Sequence, residues 1–143
     1  MDQQELQHLI TVSTGFIDAY IIECYQQVPM LLPQNIVLSA MDVKNGIKHI
    51  EWHDVKLPVY SIHNETDSRA VALVIESEDI RQRFALVCKS MPVSVRLRIS
   101  EVVDENEDIQ ESLQRSTVFK YVRMDNQRYH VPNLQYIQNS FHL

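Results

Sequence analysis

Apolar and polar residues alternate most regularly between Ile47 and Ile62, which read Ile-Lys-His-Ile-Glu-Trp-His-Asp-Val-Lys-Leu-Pro-Val-Tyr-Ser-Ile. Ile50 and Trp52 interleave with His49, Glu51 and His53, and Val55, Leu57 and Val59 interleave with Lys56. Period two on both sides of a short polar break predicts a β-hairpin with one buried face, turning at His53-Asp54. Asn45-Gly46, the strongest turn dipeptide of the chain, launches it. Upstream, Ile17–Tyr25 has the β-branched and aromatic content of a strand, Gln26-Gln27 breaks it, and Val28–Leu32 is its partner, closed by Pro33. Ala70–Glu76 is a continuous apolar run, as expected of a buried strand, and Arg83–Lys89 returns as another. After Pro92, Val93, Val95, Leu97 and Ile99 alternate with Ser94, Arg96, Arg98 and Ser100, a half-exposed strand with a basic outer row. Val118–Met124 and Arg128–Val131 flank Asp125-Asn126 as a last hairpin.

Three segments carry helical spacing. Leu6, Leu9 and Ile10 suit a short helix or tail over residues 1–16, which Gly15 ends. Ile36, Val37 and Ala40 predict about two helical turns over Gln34–Met41. Leu134, Ile137 and Phe141 form the apolar stripe of a short terminal helix.

Strand, polar turn, strand and proline recur at Tyr25–Pro33, Trp52–Pro58 and Met124–Pro132. Ala70–Met91 adds a fourth hairpin without the closing proline. Four hairpins with only short helices argue for an all-β domain of small antiparallel barrels over residues 17–143, not a βαβ sheet.

Bulk properties narrow the function. A length of 143 residues with 45% hydrophobic and 22% charged content suits one ordinary globular domain. The net charge of -6 argues against a generic nucleic-acid binder, which needs a basic surface to neutralise phosphate. Cys24 and Cys88 form no CxxC pair and read as buried reduced thiols. No basic segment precedes an apolar run, and no stretch approaches the ~20 apolar residues of a membrane span, so a cytoplasmic protein without direct membrane insertion is expected.

Candidate chemistry is sparse. His49, Glu51 and His53 stand at i, i+2 and i+4 of a strand, a spacing that can hold zinc in a small metal-dependent enzyme. No fourth ligand is evident, and the row reads rather as the polar outer face of a hairpin. Asp54 and His53, as strand neighbours, point to opposite faces and would not orient one another. No Gly-x-Ser-x-Gly surrounds a serine, and two glycines make no phosphate-cradling loop, so neither an enzyme nor a bound metal or cofactor is expected. Trp52 is either a core residue or an exposed anchor. Lys89, Arg96 and Arg98 form a basic set that the six acids of Glu101–Glu111 would cover, that would meet an acidic partner, or that is simply solvated. The candidate partner contacts are therefore Glu51, Trp52, His53 and Asp54 at the hairpin turn, with Lys89, Arg96 and Arg98.

The order of these pieces resembles the CheW-like domain, the adaptor fold of bacterial chemosensory systems. The family's hairpin has the shape Gly-x-Ile-x-x-Arg-Gly-x-x-Leu-Pro-Val-x-x-Leu, and Leu57-Pro58-Val59 matches its last motif. The strand-turn-strand of Arg83–Val103 and the close over Lys120–Leu134 also resemble the family, so the likeness spans residues 17–143. At the turn this chain carries His53-Asp54 where the family usually has Arg-Gly, replacing an always-charged bidentate donor with a titratable ring and an acid. The resemblance implies two side-by-side SH3-like five-stranded barrels without an active site. It further implies a scaffold that couples the cytoplasmic tip of a chemoreceptor to the regulatory domain of a histidine kinase, recruited to membrane receptor arrays. Glu51-Trp52 is similar to the shorter CheW-like proteins of pilus-regulating clusters, which implies control of type IV pilus twitching motility. Loss of the arginine allows an alternative of the same fold, a tethering protein that binds a partner other than a chemoreceptor.

Overall fold

The computed structural model describes residues 15–63, 68–105 and 117–141. The expected helix or tail over residues 1–14 and the acids Glu107, Asp108 and Glu111 lie outside them. In chain order the strands are β1 (Phe16–Cys24), β2 (Gln27–Pro33), β3 (Val37–Lys44), β4 (His49–Trp52), β5 (Val55–Ser61), β6 (Arg69–Ile75), β7 (Phe84–Cys88), β8 (Val93–Arg98), β9 (Val103–Glu105), β10 (Val118–Met124) and β11 (Gln127–Pro132). One helix, α1 (Leu134–Ser140), follows. Among the described residues the fold is all-β with this single short α-helix, and no helix is long and apolar enough to cross a membrane.

All four expected hairpins form: β1–β2, β4–β5, β6–β7 and β10–β11 are each antiparallel neighbours. The expected helix over Gln34–Met41 does not. Only Gln34–Ile36 makes a 3-10 turn, and Val37–Lys44 is strand β3, paired with β6 from Val37↔Ile75 to Lys44↔Arg69. A register shift between Val37 and Ser39 accounts for the misleading spacing, because a bulge moves apolar residues out of period two. After it, Met41 and Val43 return to strict alternation with exposed Asp42 and Lys44.

The strands make two sheets, in the orders β8-β1-β2-β11-β10-β9 and β3-β6-β7-β5-β4. Each contains an antiparallel triplet joined through one parallel junction to a hairpin, which β9 extends by one strand in the six-stranded sheet. In the first, β2 meets β11 at His130↔Met30, and in the second, β7 meets β5 from Val59↔Ala85 to Ser61↔Val87.

Side-chain alternation sorts the core into three clusters. Ile22, Met30 and Leu32 of the six-stranded sheet meet Leu73, Ile75, Phe84 and Leu86 of the five-stranded sheet, sealed by Leu134 and Ile137 of α1. Each of these large side chains contributes about 1.5–3 kcal/mol on burial. The opposite face of the six-stranded sheet gathers Ala19, Leu31, Leu97, Val122 and Tyr129, from strands across nearly its whole width, so that sheet curls. The opposite face of the five-stranded sheet gathers Ile50, Leu57, Ala72, Val74 and Ala85, with Met41, Val43 and Trp52 packed against them. Strands β6 and β7 are thus covered on both sides, which explains their unbroken apolar runs.

Candidate functional site

The β4–β5 hairpin ends in an exposed turn. Its strands pair from His49↔Pro58 to Trp52↔Val55, so His53 and Asp54 alone make the turn. Both are left-handed, at φ 50° and 62°, the backbone a two-residue type I′ turn demands. The same geometry recurs at Asp125 and Asn126, with φ 52° and 63°. Strand β4 ends at Trp52. His53 therefore does not continue the row of His49 and Glu51, and the expected projection of all three from one strand face is corrected. Among the described residues no three His, Cys, Asp or Glu side chains form a group fit for a metal ion.

The His53 ring instead stacks on Trp52, with centroids 4.0 Å apart and planes 12° from parallel. Trp52 is half-buried: its indole packs on the cluster around Ile50 and Leu57 and also contacts the exposed His53. The two sequence alternatives for this residue, core and anchor, are both partly realised. The Arg83 guanidinium lies 5.4 Å from the Trp52 ring centroid. Glu76 accepts hydrogen bonds from Arg83 Nε at 2.9 Å and Nη2 at 3.2 Å. That forked partner, more than any other cause, holds the Glu76 carboxyl below its ordinary range. Glu51, Asp54 and Val55 complete an exposed tip.

Arg83 and Glu76 were missed as site residues because they lie far from Trp52 in sequence. A signal existed: Glu76 closes one apolar run and Arg83 opens the next, opposite charges at facing ends of paired strands, just beyond Ile75↔Phe84.

The basic set is not brought together. Arg96 and Arg98 lie on β8 opposite Asp18 and Phe16. Arg96 pairs with Asp18 at 3.3 Å, and the two guanidinium groups lie 5.8 and 5.3 Å from the Phe16 ring centroid. Lys89 lies instead beside the β1–β2 turn, lining a cavity of about 210 Å³ with Glu23, Tyr25 and His63. Glu23 lies five positions along β1 from Asp18, about 17 Å of strand. The described acids of the Glu101–Glu111 run do not cover it either. Asp104 and Glu105 belong to β9, where Asp104 takes Lys120 at 3.0 Å and Glu105 takes Arg123 and Arg128.

The buried titratable groups are poorly suited to reaction. Cys24 and Cys88 are free and buried, and loss of hydration pushes their thiols up to about 11 and about 12. His130 is 2% exposed, with Nδ1 2.9 Å from the Val28 carbonyl oxygen at the β2–β11 junction. Burial holds its imidazole below the ordinary value of 6.5. The tip is an exposed aromatic and charged surface. Comparison with protein-family models finds no match to this chain, and comparison with curated proteins finds none.

Proposed function

We propose that this chain is a non-catalytic adaptor of the CheW-like kind, coupling a chemoreceptor tip to the regulatory domain of a histidine kinase, in a system governing type IV pilus motility. The observation that carries this reading is the similar plan of the two sheets: in each, an antiparallel triplet joins a hairpin through one parallel junction, the hairpin of the six-stranded sheet being extended by β9. Each sheet also packs a separate apolar cluster on the side away from the other. That plan supports two small barrels side by side, the architecture the resemblance implies. Leu57-Pro58-Val59 supports it too, since Leu57 is 2% exposed in the barrel-side cluster and β5 continues from Pro58 into the parallel junction. The contact work falls to Glu51, Trp52, His53 and Asp54, where a stacked pair braced by Arg83 offers a preorganised surface.

The turn favours a second reading. His53 folds onto Trp52, so the tip presents no forked cation where the family usually carries Arg-Gly. A tethering protein of the same fold, bound to the kinase but not to a receptor, fits that surface.

Affinity capture with the purified chain separates the readings. Retention of both a kinase regulatory domain and a receptor cytoplasmic tip is the adaptor's result. Retention of the kinase domain alone favours the tether, and retention of neither overturns both. The triple variant Trp52→Ala, His53→Ala, Asp54→Ala is expected to lose at least one of the two partners. Full retention of both by that variant removes the tip from the contact site.

A further inference from the structure

The hairpin has a second surface that shares only Glu51 with the adaptor contacts. Register places His49, Glu51, Lys56 and Pro58 together on the face opposite Ile50 and Leu57. Behind that outer face lies an open cleft of about 490 Å³. It is lined by the nitrogen-bearing side chains of Lys48, His49, Lys56 and Arg81 and by apolar Pro58, Val59 and Phe141. No carboxylate is among the lining residues, in a chain whose net charge is -6. Arg81 is held by Asp79, whose carboxylate accepts from Nε at 3.1 Å and Nη2 at 2.9 Å. Lys48 and Lys56 are exposed and have no ion-pair partner among the described residues.

We infer that this cleft is a docking site for an acidic segment of a partner protein that carries an apolar anchor residue. Lys48 and Lys56, without an ion-pair partner among the described residues, supply beside the already neutralised Arg81 a local positive field that the one carboxylate of Glu51, opposite Lys56, only partly offsets. Such a field draws in and orients carboxylates more than it holds them, so affinity rests on an apolar side chain set against Pro58, Val59 and Phe141. Nucleic acid is the poorer fit, because its phosphates need a long basic track and the chain carries a net charge of -6. The site is independent of the adaptor reading: it follows from the cleft's own lining, and a chain with no chemosensory role would possess it equally.

The test is a nuclear magnetic resonance titration of the full, nitrogen-15-labelled chain with a peptide of three glutamates, one phenylalanine and three glutamates. Shifts centred on the amides of Lys48, Lys56, Val59 and Phe141 are expected, with binding weakened roughly tenfold in Lys48→Glu/Lys56→Glu and weakened, not abolished, at high salt. The milder Lys48→Gln/Lys56→Gln keeps the test valid if charge reversal disturbs folding, and Arg96→Glu/Arg98→Glu is expected to bind as the unaltered chain does. Absence of shifts, or shifts centred on Arg96 and Arg98, overturns the inference. Tighter binding of a DNA duplex or of anionic phospholipid vesicles at the same amides also overturns it.

Discussion

His53 covers Trp52 in a near-parallel stack, although the two are sequence neighbours that an extended strand would send to opposite faces. The left-handed turn makes this possible, since φ 50° at His53 ends the alternation one residue early. Trp52→Ala removes the stack, the contact with Arg83 and part of the cluster around Leu57. A loss of about 2 kcal/mol is expected in urea unfolding, less than for a fully buried tryptophan. His53→Ala should cost about 1 kcal/mol or less while abolishing the stacking signature in the Trp52 fluorescence.

The turn backbone yields an opposite expectation. Asp54 sits at φ 62° where glycine carries no steric penalty. Asp54→Gly should raise stability by about 0.5–1 kcal/mol despite the extra freedom it gives the unfolded chain. An unchanged or lowered urea midpoint would mean that the aspartate side chain stabilises the turn by other contacts.

Glu76 ties stability to acid. Its carboxyl lies below the ordinary 4.5 chiefly because of Arg83, so its contribution is complete above 4.5 and is lost as pH falls through the folded value. Glu76→Gln should be the less stable protein at pH 7, with the gap closing in strong acid. Denaturation midpoints measured from pH 7 to pH 3 check this.

His130 acts in a higher window. Its folded value lies below 6.5, so the unfolded chain takes up the proton first and stability declines as pH drops beneath 6.5. His130→Gln can keep a donor toward the Val28 carbonyl but does not titrate. Its thermal midpoint should stay flat between pH 7.5 and pH 5, whereas that of the unaltered chain falls.

The thiols of Cys24 and Cys88 should resist iodoacetamide in the folded chain at pH 8. A thiol raised to about 11 is only about one-thousandth ionised there, and both are buried. Urea should expose both to rapid alkylation, read by mass spectrometry.

Local pattern made the hairpins legible, because turn dipeptides and period two act over a few residues. Asn45-Gly46, His53-Asp54 and Asp125-Asn126 all turn where the sequence places them. Strand β3 was misread as a helix because the shift between Val37 and Ser39 breaks the period that identifies a strand. The parallel junctions β2–β11 and β5–β7 join segments far apart in sequence, and no local signal marks them. The same distance hid the bracing of Trp52 by Arg83 and scattered Lys89 from Arg96 and Arg98. In the tip itself, the grouping of Glu51, Trp52, His53 and Asp54 around one turn was legible. The fold of His53 onto Trp52 was not, because it depends on a backbone sign that composition does not display.

The layer between the sheets sets how this molecule can respond to force. Phe84, Leu86, Leu73 and Ile75 interlock with Ile22, Met30 and Leu32, and the helix bearing Leu134 and Ile137 is wedged against them. Close-packed side chains of this kind are stiff and leave no slip plane. Strain at the five-stranded sheet, which carries the hairpin tip, is therefore passed to the six-stranded sheet and its β8 edge through a handful of methyl and phenyl groups at the centre.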